Sequence, residues 1–379
     1  MTRYYLDHNA TAPVRPEVVD AVAEAMRNDG NSLSVHREGR EARKRVEVAR
    51  EQVRALVNAP MNGVIFTSGG TESIHYALHG AMEPHQIKRI FVSAVEHGAV
   101  PANAATTGAE IEVVPSTVTG LIDLDWLRAR FEGYDIERDG KFLVCLMYAN
   151  NETGVLQPVA EAAAMTHEAG GLLFCDAAQA VGKVPVNFVM SGADMMSLTG
   201  HKFGGPVGVG ALIIGPNLPL NPIMRGGGHE ENRRAGTHNV PAIAGLGVAC
   251  DFAKESLSRI TEIETLRNAM EAAAFEAGAK IWGSDADRLP GTLCLSAEGF
   301  SGEAQLMTMD LAGISVSAGT ACSSGKAKPS HVLTAMGATE TDAKSSIRVS
   351  LGWNSTKQDA EAFIREWPLA YKRIKERAA

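Results

Sequence analysis

"SLTGHKFGGPVGVGAL", residues 197–212, sets a histidine and a lysine between two apolar runs, 194–198 and 209–214. Both runs are short and bounded by glycine or turn residues, so they read as strands. An ammonium costs several kcal/mol to take out of water unpaired. At the end of a buried strand, Lys202 therefore needs a carboxylate, a phosphate or a covalent partner, and the rest of the chain has to supply one.

Working outward, further short apolar runs lie at 63–67, 89–94, 111–114, 142–148 and 172–175, and they alternate with helical stretches at 71–82, 123–132 and 158–169. Two helices, 16–29 and 40–58, precede them; the first has proline near its start and glycine after its end. Strands alternating with helices predict an α/β domain with a mostly parallel sheet. From Asn239 a long helical pattern runs to about Gly278. Strand-like "GTLCLSAEGF", helical "GEAQLMTMDLAG", strand-like "ISVSAG" and "SIRVSLG", and a helix from about Lys357 follow it. The change of pattern predicts a second, smaller α+β domain, with the boundary near residue 256.

Composition narrows the class of function. The 379 residues carry 36 basic and 44 acidic side chains, a net charge of −8 without long blocks of one sign, which speaks against a nucleic-acid or membrane-surface partner. "MTRYYLDHNATAPV" lacks the zones of a signal peptide, and no apolar run reaches the roughly 18 residues of a membrane span, so a soluble cytoplasmic protein is expected. The five cysteines form no C-x-x-C pair. Cys145, Cys175, Cys250 and Cys294 stand in apolar runs and read as core. Cys322 in "SAGTACSSGKAKPSH" has no apolar neighbourhood.

In sheets of this kind ligands bind beyond the carboxyl ends of the strands. "VIFTSGGTES" places Gly70 and Thr71 at a helix start, where free N–H groups and the helix dipole favour a phosphate. "FVSAVEHGAV" ends a strand with Glu96 and His97, and "LVCLMYANNETG" follows one with Asn150, Asn151 and Glu152. "LLFCDAAQAVGK" closes a strand with Asp176, three residues before Gln179. Each of these has an ordinary structural explanation alone. Together, Lys202, Asp176 and the helix start are what a protein supplies to hold pyridoxal 5'-phosphate: a lysine for its aldehyde, a carboxylate for its ring nitrogen and a cradle for its phosphate. His75 and His79 are spaced as in a zinc protease, but Tyr76 stands where that motif has glutamate. The glycines at 205, 208 and 210 do not form a dinucleotide fingerprint.

Nine stretches resemble, in order, the cysteine desulfurases of the NifS/IscS-like group, class-V members of the fold-type I pyridoxal-phosphate enzymes: "YLDHNATAPV", "FTSGGTES", "SAVEHGAV", "ANNETGVLQP", "CDAAQAVGKVPV", "SLTGHKFGGPVGVGAL", "RGGGHEENRRAGTHNV", "SAGTACSSGKAKPSHVL" and "SSIRVSLG". The resemblance implies a large cofactor-binding domain at 15–256 and a small domain at 257–379 with segment 1–14 packed on it. It makes Lys202 the Schiff-base lysine, Asp176 the partner of the ring nitrogen and His97 the ring stacked on the cofactor. Gln179 and Asn151 become neighbours of the phenolic oxygen, and Gly70, Thr71, Thr199 and His201 hold the phosphate. Thr237 reaches that phosphate from the other subunit of a homodimer. Arg348, with Asn151 beside it, takes the substrate carboxylate, and Cys322 receives sulfur. Threonines at 199 and 320 replace the more usual serines, and "DGNSLSVH" lacks a usual proline.

The activity implied is conversion of L-cysteine to L-alanine with a persulfide left on Cys322. That sulfur would go to an acceptor such as an iron-sulfur scaffold protein. The rivals are another enzyme of the same class, namely a selenocysteine lyase, a β-lyase or an aminotransferase, and a non-catalytic carrier that kept the fold. The stretch 317–330, rich in serine and poor in large apolar residues, is expected to be mobile, which would let one thiol serve both substrate and acceptor.

Overall fold

The computed structural model describes residues 2–28, 30–318 and 329–378. Along the chain the strands are β1 (Tyr4–Tyr5), β2 (Val64–Thr67), β3 (Ile87–Ser93), β4 (Glu110–Val114), β5 (Lys141–Cys145), β6 (Leu172–Asp176), β7 (Met195–Thr199), β8 (Gly210–Ile214), β9 (Lys280–Trp282), β10 (Thr292–Ser296), β11 (Ile314–Ser315), β12 (Ser317–Ala318) and β13 (Ser346–Ser350).

The large sheet has the order β2-β8-β7-β6-β5-β3-β4. Pairing from β7 through β6, β5 and β3 to β4 is parallel, and β8 runs antiparallel to both β2 and β7. The mostly parallel α/β architecture of a fold-type I enzyme is thus present. Strands β6, β7 and β8 are buried almost throughout, because helices cover both faces. Phe142, Val144, Leu173 and Cys175 turn to one cluster, with Val46, Val53, Leu246 and Ala249 from the helices Arg37–Val57 and Val240–Ser256. Leu143, Cys145 and Phe174 turn to the other, with Ile74, Ala77, Leu78 and Ala81 from the helix Gly70–His85.

The helical pattern at 239–278 is two helices, Val240–Ser256 and Ile260–Glu276, separated by the 3-10 turn Leu257–Arg259. Serines account for the break: the Ser256 hydroxyl donates to Phe252 O and that of Ser258 to Glu255 O, competing with the helical ladder. Beyond it, β12-β13-β10-β9 form an antiparallel sheet. Leu293, Leu295, Ile347 and Val349 of this sheet pack against Phe363 and Trp367 of the helix Lys357–Ala378. Leu6 joins the same cluster; β1 pairs with β11, and Asp7 bridges to Ser350.

Strands β2, β3, β5, β6 and β7 all point their carboxyl ends the same way, toward the N-terminal segment and β13. Among the described residues no helix is long and apolar enough to cross a membrane, and no group of three or more His, Cys, Asp or Glu side chains could hold a metal ion.

Candidate active site

The loop after β2 turns through Gly69, whose φ of 149° is one that a side chain resists. The helix Gly70–His85 starts there without a side-chain cap, and a side chain added at its first residue would meet Thr199 carbons at 3.9 Å. After β3 comes His97, whose Nδ1 accepts from Ala99 N at 3.2 Å. After β5, buried Asn150 ties down its loop: its amide donates to Val95 O at 2.9 Å, and its Oδ1 accepts from Glu152 N and Thr153 N, both at 2.9 Å. Asn151 is thereby held at the loop's crest.

Asp176 ends β6 opposite Ser197 of β7. Its Oδ1 accepts from the Ser197 hydroxyl at 2.8 Å and from Ala178 N at 3.0 Å. Both bonds use one oxygen, so Oδ2 keeps its capacity to accept from a ring nitrogen. After β7 the 3-10 turn Gly200–Lys202 brings Lys202 round, and its Nζ donates to Asn9 O at 2.7 Å and Ala10 O at 2.8 Å.

Gly70, Thr71, His97, Asn151, Asp176, Gln179, Thr199, His201 and Lys202 line one cavity of about 240 Å³. These residues come from five loops and were all named from the sequence. Thr237 is not among the lining residues; it is exposed, on the segment 225–239. Arg348 lies next door on β13, buried, donating from Nη1 to Asn151 O at 2.9 Å and from Nη2 to Asp7 Oδ1 at 2.9 Å and Ser317 Oγ at 3.2 Å. Cys322 lies outside the described residues, as does the greater part of the stretch expected to be mobile. Cys145, Cys175, Cys250 and Cys294 are buried, and burial pushes each thiol up, away from the reactive thiolate. His75 and His79 lie ring to ring on their helix, bonded to Asn103 and Thr106.

Burial lowers the pKa of His97, and Lys202 and His331 add to that against the opposing pull of Asp176. His201 is lowered to about 4, by burial first and then by Lys202 and Lys183. Both imidazoles on the cavity wall are thus biased toward their neutral form. Glu96, behind His97, is raised well above the usual range by burial and then by Asp176.

Three residues at this site escaped the sequence reading as functional groups. Asn9 is 1 % exposed, and its backbone oxygen accepts from both Lys202 Nζ and Gln179 Nε2. Asp7 pairs with Arg348. Lys183 donates at 2.7 Å to both Gln179 Oε1 and Asn9 Oδ1. Asp7 and Asn9 lie in "YLDHNATAPV", and Lys183 stands four residues after Gln179 in "CDAAQAVGK". These positions could have been singled out, but no partner for them was visible.

Two unmet hydrogen-bonding capacities test whether the site suits a cofactor and an amino-acid substrate. Asn151 Oδ1 and Arg348 Nε are buried and have no hydrogen-bond partner among the described residues. Such atoms are costly unless a ligand meets them. With the uncapped helix start and the lysine, they fit pyridoxal 5'-phosphate and a carboxylate beside it.

Comparison with known proteins agrees with this geometry. Residues 4–363 match the family described as aminotransferase class-V. The chain is 38% identical to an IscS-like cysteine desulfurase of Mycobacterium tuberculosis, over 99% of this chain and 98% of that one. It is 39% identical to a cysteine desulfurase of Gluconacetobacter diazotrophicus, over 99% and 95%. Among solved structures, a NifS-like protein from Rickettsia africae superposes with a TM-score of 0.89 at 33% identity, covering 98% of this chain and 100% of that one.

Proposed function

We propose, because the chain belongs to the class-V aminotransferase family, that it is a pyridoxal-phosphate-dependent cysteine desulfurase, converting L-cysteine to L-alanine and passing the sulfur to Cys322. One observation carries the reading: a lysine, a carboxylate, an imidazole and a helix start from separate loops line a single cavity.

Lys202 would hold the cofactor covalently, Asp176 its ring nitrogen, and Gly70, Thr71, Thr199 and His201 its phosphate, with His97 over the ring and Asn151 and Gln179 at the phenolic oxygen. When bound, the cofactor supplies an electron sink for bond-breaking at the substrate. Asp176 keeps a proton at the ring nitrogen. Arg348 orients the substrate carboxylate, a role its planar fork suits. The Lys202 ammonium, once released, has two backbone carbonyls beside it as a resting place and can move protons to and from the substrate. His97, which lines the cavity and whose pKa burial lowers, would help to take the proton from a thiol there. Cys322 Sγ attacks the substrate sulfur: the S–S bond forms, the C–S bond breaks, and the carbon takes a proton to become alanine.

We further assign the boundary between the large and small domains to residue 256, supported by the 3-10 turn Leu257–Arg259. The exposed position of Thr237 supports a homodimer in which that hydroxyl completes the phosphate site of the other subunit. Delivery of sulfur in the cytoplasm to an iron-sulfur scaffold or another acceptor completes the proposal.

The test is incubation of the purified yellow protein with L-cysteine and a thiol reductant. Sulfide and alanine in equal amounts are expected. Pyruvate in place of alanine would overturn the reading in favour of a β-lyase, and a keto acid with a transferred amino group would indicate an aminotransferase. Cys322→Ala should keep the colour and the spectral response to L-cysteine and lose sulfide production; sulfide at the wild-type rate would remove Cys322 from the reaction.

A further inference from the structure

Gln179 and Lys202 are tied together from behind by groups that do not line the cavity. Gln179 offers both ends of its amide to this tie: Nε2 donates to Asn9 O at 2.9 Å, and Oε1 accepts from Lys183 Nζ at 2.7 Å. Lys183 Nζ also donates to Asn9 Oδ1 at 2.7 Å. Asn9 is fixed in turn, with its N–H on Ser350 Oγ at 2.9 Å and its amide on Thr292 Oγ1 at 3.0 Å and Asn151 O at 3.3 Å. Every polar group of this buried asparagine is engaged, so it forms a rigid backing that spans the large sheet and β13.

We propose that Lys183 is a positioning residue for the cofactor's phenolic oxygen: by holding Gln179 Oε1 it turns the N–H side of the Gln179 amide to the cavity. The proposal rests on the cofactor reading above. An amide has two donors on one side and only lone pairs on the other. With Oε1 held by Lys183 Nζ and one Nε2 hydrogen on Asn9 O, the second hydrogen remains for an oxygen in the cavity. Without Lys183 a single bond orders the amide, and the acceptor side can face an anionic oxygen.

Lys202 and Arg348 act on Lys183, and both work against a charge on it. Burial, then Lys202 and Arg348, lower its pKa well below the usual lysine range. Its field reaches the cavity, where it helps to lower His201. A donor turned to the phenolic oxygen withdraws charge from it. It thereby weakens the hold of the nitrogen at Lys202 on its proton.

The experiment is a pH titration, from pH 6 to 10, of the visible absorption of the holoenzyme. Lys183→Met is expected to raise the midpoint by about one pH unit, and Lys183→Arg, which keeps N–H donors at this position, to return more than half of that shift. In a Gln179→Ala background, Lys183→Met should add less than half the shift it causes alone, because the two residues act through one contact. A folded Lys183→Met protein with full cofactor content and an unmoved midpoint would overturn the proposal. So would full additivity with Gln179→Ala. If the methionine variant does not fold, Lys183→Ala decides by the same titration: it removes the donors that hold Gln179 Oε1, so a raised midpoint supports the proposal and an unmoved one overturns it. Wild-type protein that carries no visible absorption after loading with pyridoxal 5'-phosphate would defeat the cofactor reading itself, which the variants cannot do.

Discussion

Glu230 and Glu96 are both almost fully buried, and their environments differ in kind. Glu230 is saturated: Arg50 donates to its two oxygens at 2.8 and 2.9 Å, His238 at 2.7 Å and Phe66 N at 3.1 Å. Burial raises its pKa, but the bonds from Arg50 and His238 outweigh burial and take it down to about 2. Glu96 has one donor, Met147 N at 2.5 Å, and its Oε2 has no partner among the described residues. Burial and then Asp176 push it up. Burial alone therefore does not decide the charge of a carboxylate; its donors do. Both oxygens of Glu230 are met within its own cluster. Around the cavity, by contrast, Glu96, Asn151 and Arg348 each keep an unmet polar atom, and those of Asn151 and Arg348 are placed to meet a ligand.

The sharpest division should appear with Lys202→Ala. Loss of the covalent anchor should lower sulfide production by about 10³-fold or more and abolish the visible absorption. Its midpoint in chemical denaturation, measured without cofactor, should stay close to the wild-type apoprotein's. A variant that kept the absorption, or that unfolded as readily as a Glu230 variant, would erase the distinction between working and structural charges.

Glu230→Gln should do the reverse. Removing one partner of a buried ion pair costs roughly 3 kcal/mol, read as a lower urea midpoint, with the position of the cofactor's absorption unchanged. The backbone adds to the sensitivity, since Glu230, Glu231 and Asn232 have φ of 48°, 56° and 68°, a left-handed run without glycine that its side-chain bonds must hold. The pH dependence has a definite sign. The folded pKa of about 2 lies below the ordinary 4.5, so the stabilisation is complete above 4.5 and is lost as pH falls toward 2. Glu230→Gln should flatten this acid limb of the stability curve. Parallel limbs in both proteins would show that the carboxylate is not held as described.

The large sheet was legible because its strands, buried on both faces, leave unbroken apolar runs, and because the ligand-facing residues come just after them. The break at Leu257–Arg259 was hidden, since the apolar pattern continues through it and serine hydroxyls, which carry no periodicity, interrupt the helix. β9 is three residues long and too short for any pattern. Within the site, residues that touch the cavity could be named from their place after strands. Those that act from behind could not: Asn9 and Lys183 are 174 positions apart, and only the folded chain brings them together. Arg348 was assigned to substrate, but its pairing with Asp7 was not foreseen, because an aspartate in an N-terminal motif gives no indication of a partner on β13.

The smallest effect should come from Glu96→Gln. Burial favours the neutral form of this carboxyl, so an amide of the same shape replaces it with little change: its oxygen can still accept from Met147 N, and its other atom, like Oε2 now, meets no partner among the described residues. Turnover should fall by no more than a few-fold, because His97 and Asp176 keep their places. The difference lies in pH. A carboxyl whose folded pKa is raised contributes its full stability below the ordinary value of 4.5 and loses it as pH rises toward the folded value. Wild-type protein therefore forfeits about 1.4 kcal/mol for each pH unit in that window, a loss that the glutamine variant escapes. Urea unfolding at pH 5.5 and pH 8.5 should show the variant gaining on wild type as pH rises. If the gap between them were the same at both values, Glu96 would be charged in the folded state, and the contrast with Glu230 would have to rest on geometry alone.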